Sequence, residues 1–174
     1  LLSRGSEMCI RDRLNIEALT YDKKDYRNVV VSLSGDKNSL NLNKIALSTE
    51  FDTDIALKGQ VGNTNALEGL DLKASLKTKD ADALLKAYDI PRDAYKNTIG
   101  ALEVDGAITG SLDALGFSTK INHKGLTLTA NGQAKDPLGT KELSNLGFRA
   151  QHANFVKAIQ ITQPDFEMDR AWQK

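Results

Sequence analysis

From Leu14 onward the chain repeats one device, a short run of alternating apolar and polar residues followed by a turn. Period-two alternation sends successive side chains to opposite faces of a pleated strand. A chain built from it folds as sheet with one buried and one wet face, an arrangement typical of antiparallel pairing. "LNIEALT" sets Leu14, Ile16 and Ala18 on one face, "NVVVSLSG" sets Val29, Val31 and Leu33, and "DIALKGQVG" sets Ile55, Leu57, Gly59 and Val61. "LDLKASLKTK" adds Leu70, Leu72, Ala74 and Leu76, "ALEVDGAITG" adds Leu102, Val104, Gly106 and Ile108, and "GLTLTANGQA" adds Leu126, Leu128 and Ala130. In "SLNLNKIALS" the phase changes near Asn43–Lys44, between Leu40 and Leu42 on one side and Ile45 and Leu47 on the other. Such a slip predicts a bulge or two strands with a tight connection. "ELSNLGFRAQ" is less regular. Turn residues punctuate the runs at Ser34–Gly35, Gly62–Asn63, Gly110–Ser111, Lys124–Gly125 and Asp136–Pro137.

Two segments leave this pattern. "KDADALLKAYDIP" carries Ala81, Leu84, Leu85 and Tyr88 at helical spacing, with Asp80 or Asp82 as N-cap and Pro91 as the stop. "QHANFVKAIQITQP" carries Phe155, Val156 and Ile159, with Asn154 as cap and Pro164 beyond. A third short helix fits Arg92 to Thr98. The expected fold is mainly β: an antiparallel, twisted, repeat-type sheet with an apolar face and two short α-helices.

The helices expose an internal repeat. "GQVGN" at Gly59–Asn63 aligns with "GQAKD" at Gly132–Asp136, and "LKTKDADALLKA" at Leu76–Ala87 aligns with "FRAQHANFVKA" at Phe148–Ala158. Each copy runs from a Gly-Gln strand to another strand and then to a short amphipathic helix. A period in the seventies exceeds most solenoid units and implies multi-strand units stacked edge to edge. The expected organisation is a first unit at 14–91, a second at 92–163, and the truncated start of another at 164–174.

Residues 1–13 have a different texture. "GSEMCIRDR" holds the single Cys, Cys9, and one of the two Met residues. Reverse translation of Gly5 to Asp12, plus two bases of the Arg13 codon, yields GGC TCG GAG ATG TGT ATA AGA GAC AG. That string resembles the transposase mosaic-end adapter of sequencing libraries, so residues 1–13 are read as adapter-derived and set aside from fold reasoning. Without Cys9 the chain offers no disulfide framework, thiol nucleophile or cysteine-based zinc site.

Chemistry-bearing patterns are sparse. Lys+Arg and Asp+Glu both number 23, and this balance argues against nucleic acid, whose phosphates demand a basic excess. Tyr21, Tyr26, Tyr88, Tyr95 and Trp172 are not interleaved with a basic stripe for base stacking. A hydrophobic share of 40% is too high for a disordered chain. No apolar run reaches the ~18–20 residues of a membrane span. His123 and His152, the two histidines, have no acid or nucleophile beside them in sequence and are assigned structural roles. The acids of "DTD" (Asp52, Asp54), "DAD" (Asp80, Asp82) and "DFEMD" (Asp165, Glu167, Asp169) match no calcium-loop spacing. They are read as wet-face and helix-start residues. Nucleophile-elbow, phosphate-loop and dinucleotide fingerprints are missing too. No catalytic, cofactor or metal residue is therefore assigned.

The pieces "LNIEALTYDKKDYRNVVVSLSGDKNSLNLNKIALST", "DIALKGQVGN", "LEGLDLKASLKTKDADALLKAYDIP" and "IGALEVDGAITGSLDAL", in that order, resemble the AsmA-like family of bacterial envelope proteins, to which TamB-type proteins are related. The resemblance covers nearly all of 14–174 and rests on periodicities. It implies a non-enzymatic protein on the periplasmic side of the inner membrane, anchored by a helix absent from this fragment. It implies a body of repeated β-sheet with an apolar groove, and a role in outer-membrane biogenesis and lipid transport or homeostasis. The partner expected is phospholipid or another envelope lipid, with Leu57, Leu72, Val104 and Leu128 lining the groove and Lys58 and Lys73 facing outward. The alternative is a repeat-type extracellular β-protein, an adhesin or autotransporter passenger. The upstream sequence separates the two: a membrane helix supports the first, a cleavable signal peptide the second.

Overall fold

A computed structural model describes residues 10–90, 98–136 and 142–162. Nine strands form one antiparallel sheet in simple sequence order, β1 to β9. They are β1 (Ile10–Tyr21), β2 (Lys24–Gly35), β3 (Leu40–Thr49), β4 (Thr53–Asn63) and β5 (Glu68–Thr78), then β6 (Leu102–Ser111), β7 (Ala114–His123), β8 (Leu126–Lys135) and β9 (Glu142–Gln151). Helix α1 (Ala81–Ala87) follows β5 and helix α2 (Phe155–Thr162) follows β9. The strand–strand–helix order recurs at the repeat positions, β4–β5–α1 and β8–β9–α2. Both copies share one sheet, because β5 pairs with β6 along its length.

Short connections explain the meander, since antiparallel neighbours need only a hairpin turn. Asp22 and Lys23 both take positive φ (48° and 61°) between the paired Tyr21 and Lys24. Lys124 and Gly125 do the same (47° and 79°) between His123 and Leu126. These are the left-handed pairs that two-residue hairpins favour. Elsewhere the strands run past the expected punctuation: β2 continues through Gly35, β4 through Asn63, and β6 through Ser111. At the β2–β3 turn the Asp36 carboxylate accepts the N–H groups of Asn38 and Ser39, both at 2.8 Å. Those bonds hold the Asp36 carboxyl below its usual range.

The phase change in β3 is a bulge within one strand, with register shifts around Asn43 and Lys44 against both neighbours. Two further bulges place an asparagine at positive φ: Asn28 in β2 and Asn145 in β9, each 52°. Asparagine tolerates that conformation better than other non-glycine residues. The Asn145 bulge breaks the alternation in β9, and Asn145 Nδ2 donates to Gln133 Oε1 at 2.8 Å.

Ile10 to Arg13 continue β1, paired with Gly35 to Ser32 of β2. The adapter reading sets these four residues aside from the fold; the structure pairs their backbone while Arg11, Asp12 and Arg13 stay exposed. A backbone ladder needs no particular side chains, so any extended segment beside a free edge can join it. Residues 91–97, which include most of the expected third helix, lie outside the described residues, and Thr98 is not helical.

Both helices start as their caps predict. Ala83 N–H donates to Asp80 Oδ1 at 3.0 Å, and Lys157 N–H donates to Asn154 Oδ1 at 3.0 Å. Leu84 is buried and Leu85 half-buried. Val156 is half-buried and Ile161 is buried, while the Phe155 side chain lies outside the described residues.

Candidate functional site

Register converts the alternating strands into continuous rows. Ile55 opposes Leu76, Leu76 opposes Val104, Val104 opposes Ile121, and Ile121 opposes Leu128. A second row runs Leu42, Gly59, Leu72, Ile108, Phe117 and Gly132. Between them lies a row of smaller groups, Leu57, Ala74, Gly106, Thr119 and Ala130, ending at Phe148. Leu57, Leu72, Val104 and Leu128 therefore share one face, across four strands and three rows. Lys58 and Lys73 oppose each other on the other face.

The glycines in the second row have separate causes. Gly59 takes φ +146°, and a Cβ there would run into the Asp71 carbonyl of β5. At Gly132 a Cβ would lie 2.8 Å from the Phe117 ring and 2.7 Å from Leu146 Cδ2. Absence of a side chain there leaves room for the edge of the Phe117 ring.

Most of this aliphatic face is uncovered. Among the described residues the buried apolar side chains are Val29, Val61, Ala81, Leu84 and Ile161. Ile108 is 42% exposed, Leu128 38% and Phe148 77%. Most other aliphatic residues of the rows are half-buried. A single sheet layer has nothing stacked on its apolar side except what the two helices supply.

The helices cover one end of the face. Ala81 N–H donates to Gly100 O at 2.8 Å, and Gly100 N–H donates to Asp82 Oδ2 at 2.9 Å, tying the start of α1 beside β6. At the other end the Tyr88 hydroxyl lies 3.1 Å from the Tyr26 hydroxyl of β2, and Lys24 Nζ sits 4.7 Å over the Tyr88 ring. Helix α1 thus spans the ends of β2 to β6. Beneath that span lies the row Tyr26, Thr49, Thr53 and Thr78. Thr53 is fully buried and donates to Thr78 Oγ1 at 2.7 Å. Burial and the neighbouring Tyr26 hydroxyl push the Tyr88 phenol up to about 12.

Both histidines tie backbone together. A carbonyl only accepts, so His123 Nδ1–H donates to Ala101 O (3.1 Å) and His152 Nε2–H donates to Lys124 O (3.3 Å). His152 Nδ1 then accepts the Asn154 N–H at 2.9 Å, at the entry to α2. Among the described residues no group of three or more His, Cys, Asp or Glu could hold a metal ion. Nor is any described helix long and apolar enough to cross a membrane.

Each face of the sheet carries a concavity. On the aliphatic face, Ile121, Leu128, Ala130, Phe148 and Ala150 line one of about 480 Å³ at β7 to β9. A larger one, about 760 Å³, lies on the opposite face. Its walls come from the rows through Ala56, Ser75, Asp105, Lys120 and Thr129 and through Lys58, Lys73, Ala107, Ser118 and Asn131, and the middle row from Leu57 through Ala74, Gly106 and Thr119 to Ala130 lines it between them. A strongly twisted sheet is saddle-shaped, so each face is concave along a different diagonal. Alternation within strands predicts two faces but not this second trough, which depends on cross-strand register.

No protein-family model, curated protein or solved structure matches the chain.

Proposed function

We propose that the chain is part of an AsmA-like envelope protein that shields or conducts lipid along its aliphatic face. One observation carries this reading: an open nine-stranded sheet presents rows of Leu, Ile and Val that the two helices leave largely uncovered. An exposed apolar surface of this extent marks a place where something binds. The rows are aliphatic, with Phe117 and Phe148 near one end, which suits acyl chains. Each buried CH₂ contributes roughly 0.8 kcal/mol, so a chain is held without any polar contact and can slide from row to row. The protein acts without catalysis, on the periplasmic side of the bacterial inner membrane, held there by a helix outside this fragment. Its task is transport or homeostasis of phospholipid or another envelope lipid during outer-membrane biogenesis.

Site-specific photo-crosslinking in cells expressing the full-length protein tests the reading. A photoreactive residue at Leu57, Leu72, Val104 or Leu128 is expected to capture lipid, and one at Lys58 or Lys73 is not. Equal capture by both sets, or none by either, overturns it.

A further inference from the structure

The lysine-walled trough on the face opposite the aliphatic rows is a second site. We propose that it binds a small organic phosphate. Its volume of about 760 Å³ falls in the range of small-molecule sites, roughly 300–1,000 Å³. Lys44, Lys58 and Lys73 stand on three consecutive strands at one end of it. Among the described residues none of the three has a carboxylate within 4 Å. Lys58 and Lys73 are directly opposed, a like-charge cross-strand pair that destabilises a sheet unless an anion lies between the two ammonium groups. One lysine of the same face is ion-paired: Lys77, two positions behind Ser75, contacts Glu103 at 2.6 Å across β5 and β6. That contact raises the Lys77 ammonium and lowers the Glu103 carboxyl from their ordinary values. Asp105 is the acid among the trough residues, and it opposes Lys120. The positive excess is thereby concentrated at β3 to β5.

The rest of the trough fits an organic body. Ala56 and Ala107 give apolar surface on the two walls, and Ser75 and Ser118 offer hydroxyls beside them. A compact ammonium is a standard point-charge partner for phosphate, and the opposed Lys58 and Lys73 offer two on adjacent strands. A concave trough does not match a flat bilayer surface, so the phosphate comes from a soluble ester rather than a lipid headgroup. This site needs no lipid on the other face and stands independently of the lipid reading.

The test uses the whole 174-residue chain with phenyl phosphate, inorganic phosphate and phosphatidylglycerol vesicles as probes, read by isothermal titration and amide chemical shifts. Phenyl phosphate is expected to bind, to shift amides of β4 and β5 around Lys58 and Lys73, and to bind more tightly than inorganic phosphate. The double variant K58Q/K73Q is expected to lose about tenfold or more in affinity, and K77Q to lose none. Without ligand, K58Q/K73Q is expected to melt no lower than the parent, because it removes a repulsion from an exposed surface. Failure of phenyl phosphate to bind, equal affinity for inorganic phosphate, capture by vesicles alone, or undiminished binding by K58Q/K73Q each overturns the proposal.

Discussion

Helix α1 is the best place to test whether the end cap holds this sheet together. Leu84 and Leu85 are adjacent, chemically identical and differently buried: Leu84 is 8% exposed and Leu85 is intermediate. Leu84→Ala removes three carbons from one of the few buried apolar side chains among the described residues. A buried Leu→Ala change costs about 2–5 kcal/mol, depending on how far the site collapses. A seven-residue helix over a sheet end can settle inward, which places the cost near the lower end, about 2–3 kcal/mol. Leu85→Ala removes a side chain already partly in water and is expected to cost about 1 kcal/mol. Alanine is at least as good a helix former as leucine, so propensity does not obscure the comparison. Urea unfolding followed by circular dichroism reads both midpoints, with an unchanged slope required for a clean comparison. At about 2–4 °C per kcal/mol for a chain of this size, Leu84→Ala lowers the melting temperature by about 4–12 °C. Equal losses from the two variants, or a larger one from Leu85→Ala, would refute the placement of α1 over the sheet end.

Two further outcomes follow from particular contacts. The Tyr88 phenol, pushed up to about 12 and hydrogen-bonded to Tyr26, favours its protonated form in the folded state. Its contribution to stability is fully present below the ordinary tyrosine value near 10 and is lost as pH rises through about 12. A phenolate absorbance titration is expected to show one late-ionising tyrosine that disappears in Tyr88→Phe, and an unchanged curve in that variant would contradict the contact. Deleting residues 1–13 strips four paired residues from an edge strand. Hydrogen exchange is then expected to speed up at residues 32–35 while β3 to β8 stay protected, and loss of protection deep in the sheet would show that this segment belongs to the fold.

The legible parts of this fold are those governed by one repeating local rule. Alternation assigned Leu57, Leu72, Val104 and Leu128 to a common face because strand geometry permits only two sides. Helical spacing and the caps Asp80 and Asn154 located α1 and α2 for a similarly local reason. Turn positions were less legible. Ladder hydrogen bonds carried β2 through Gly35 and β6 through Ser111, and the Asp22–Lys23 turn contains no glycine to announce it. The bulges at Asn28 and Asn145 were hidden because an asparagine at positive φ looks like any polar residue in sequence. The opposition of Lys58 and Lys73 is a property of pairing, since the residues lie on different strands and meet only because the β4–β5 hairpin folds about residues 64–67. Locating that turn would have exposed the pair, as antiparallel partners are symmetric about their hairpin.

That contrast bears on how the two faces came to differ. Every added strand of a meander enlarges the apolar face by one strand width, about 4.8 Å, while a short helix covers only strand ends. The deficit therefore grows with each unit, and two helices over nine strands leave the middle rows open. A closed sandwich would remove the deficit by laying a second sheet over the first. The described strands do not do this, since all nine lie in one sheet with neighbours paired in sequence order. Water over those rows is a costly cover and an aliphatic ligand a favourable one. On the opposite face small and charged side chains meet water without penalty, and the directly opposed Lys58 and Lys73 stand out there as a like-charge pair. The same alternation thus presents an acyl-compatible surface on one side of the sheet and an anion-compatible trough on the other, and substitutions at Leu72 and Lys73, adjacent in sequence, are expected to affect one without the other.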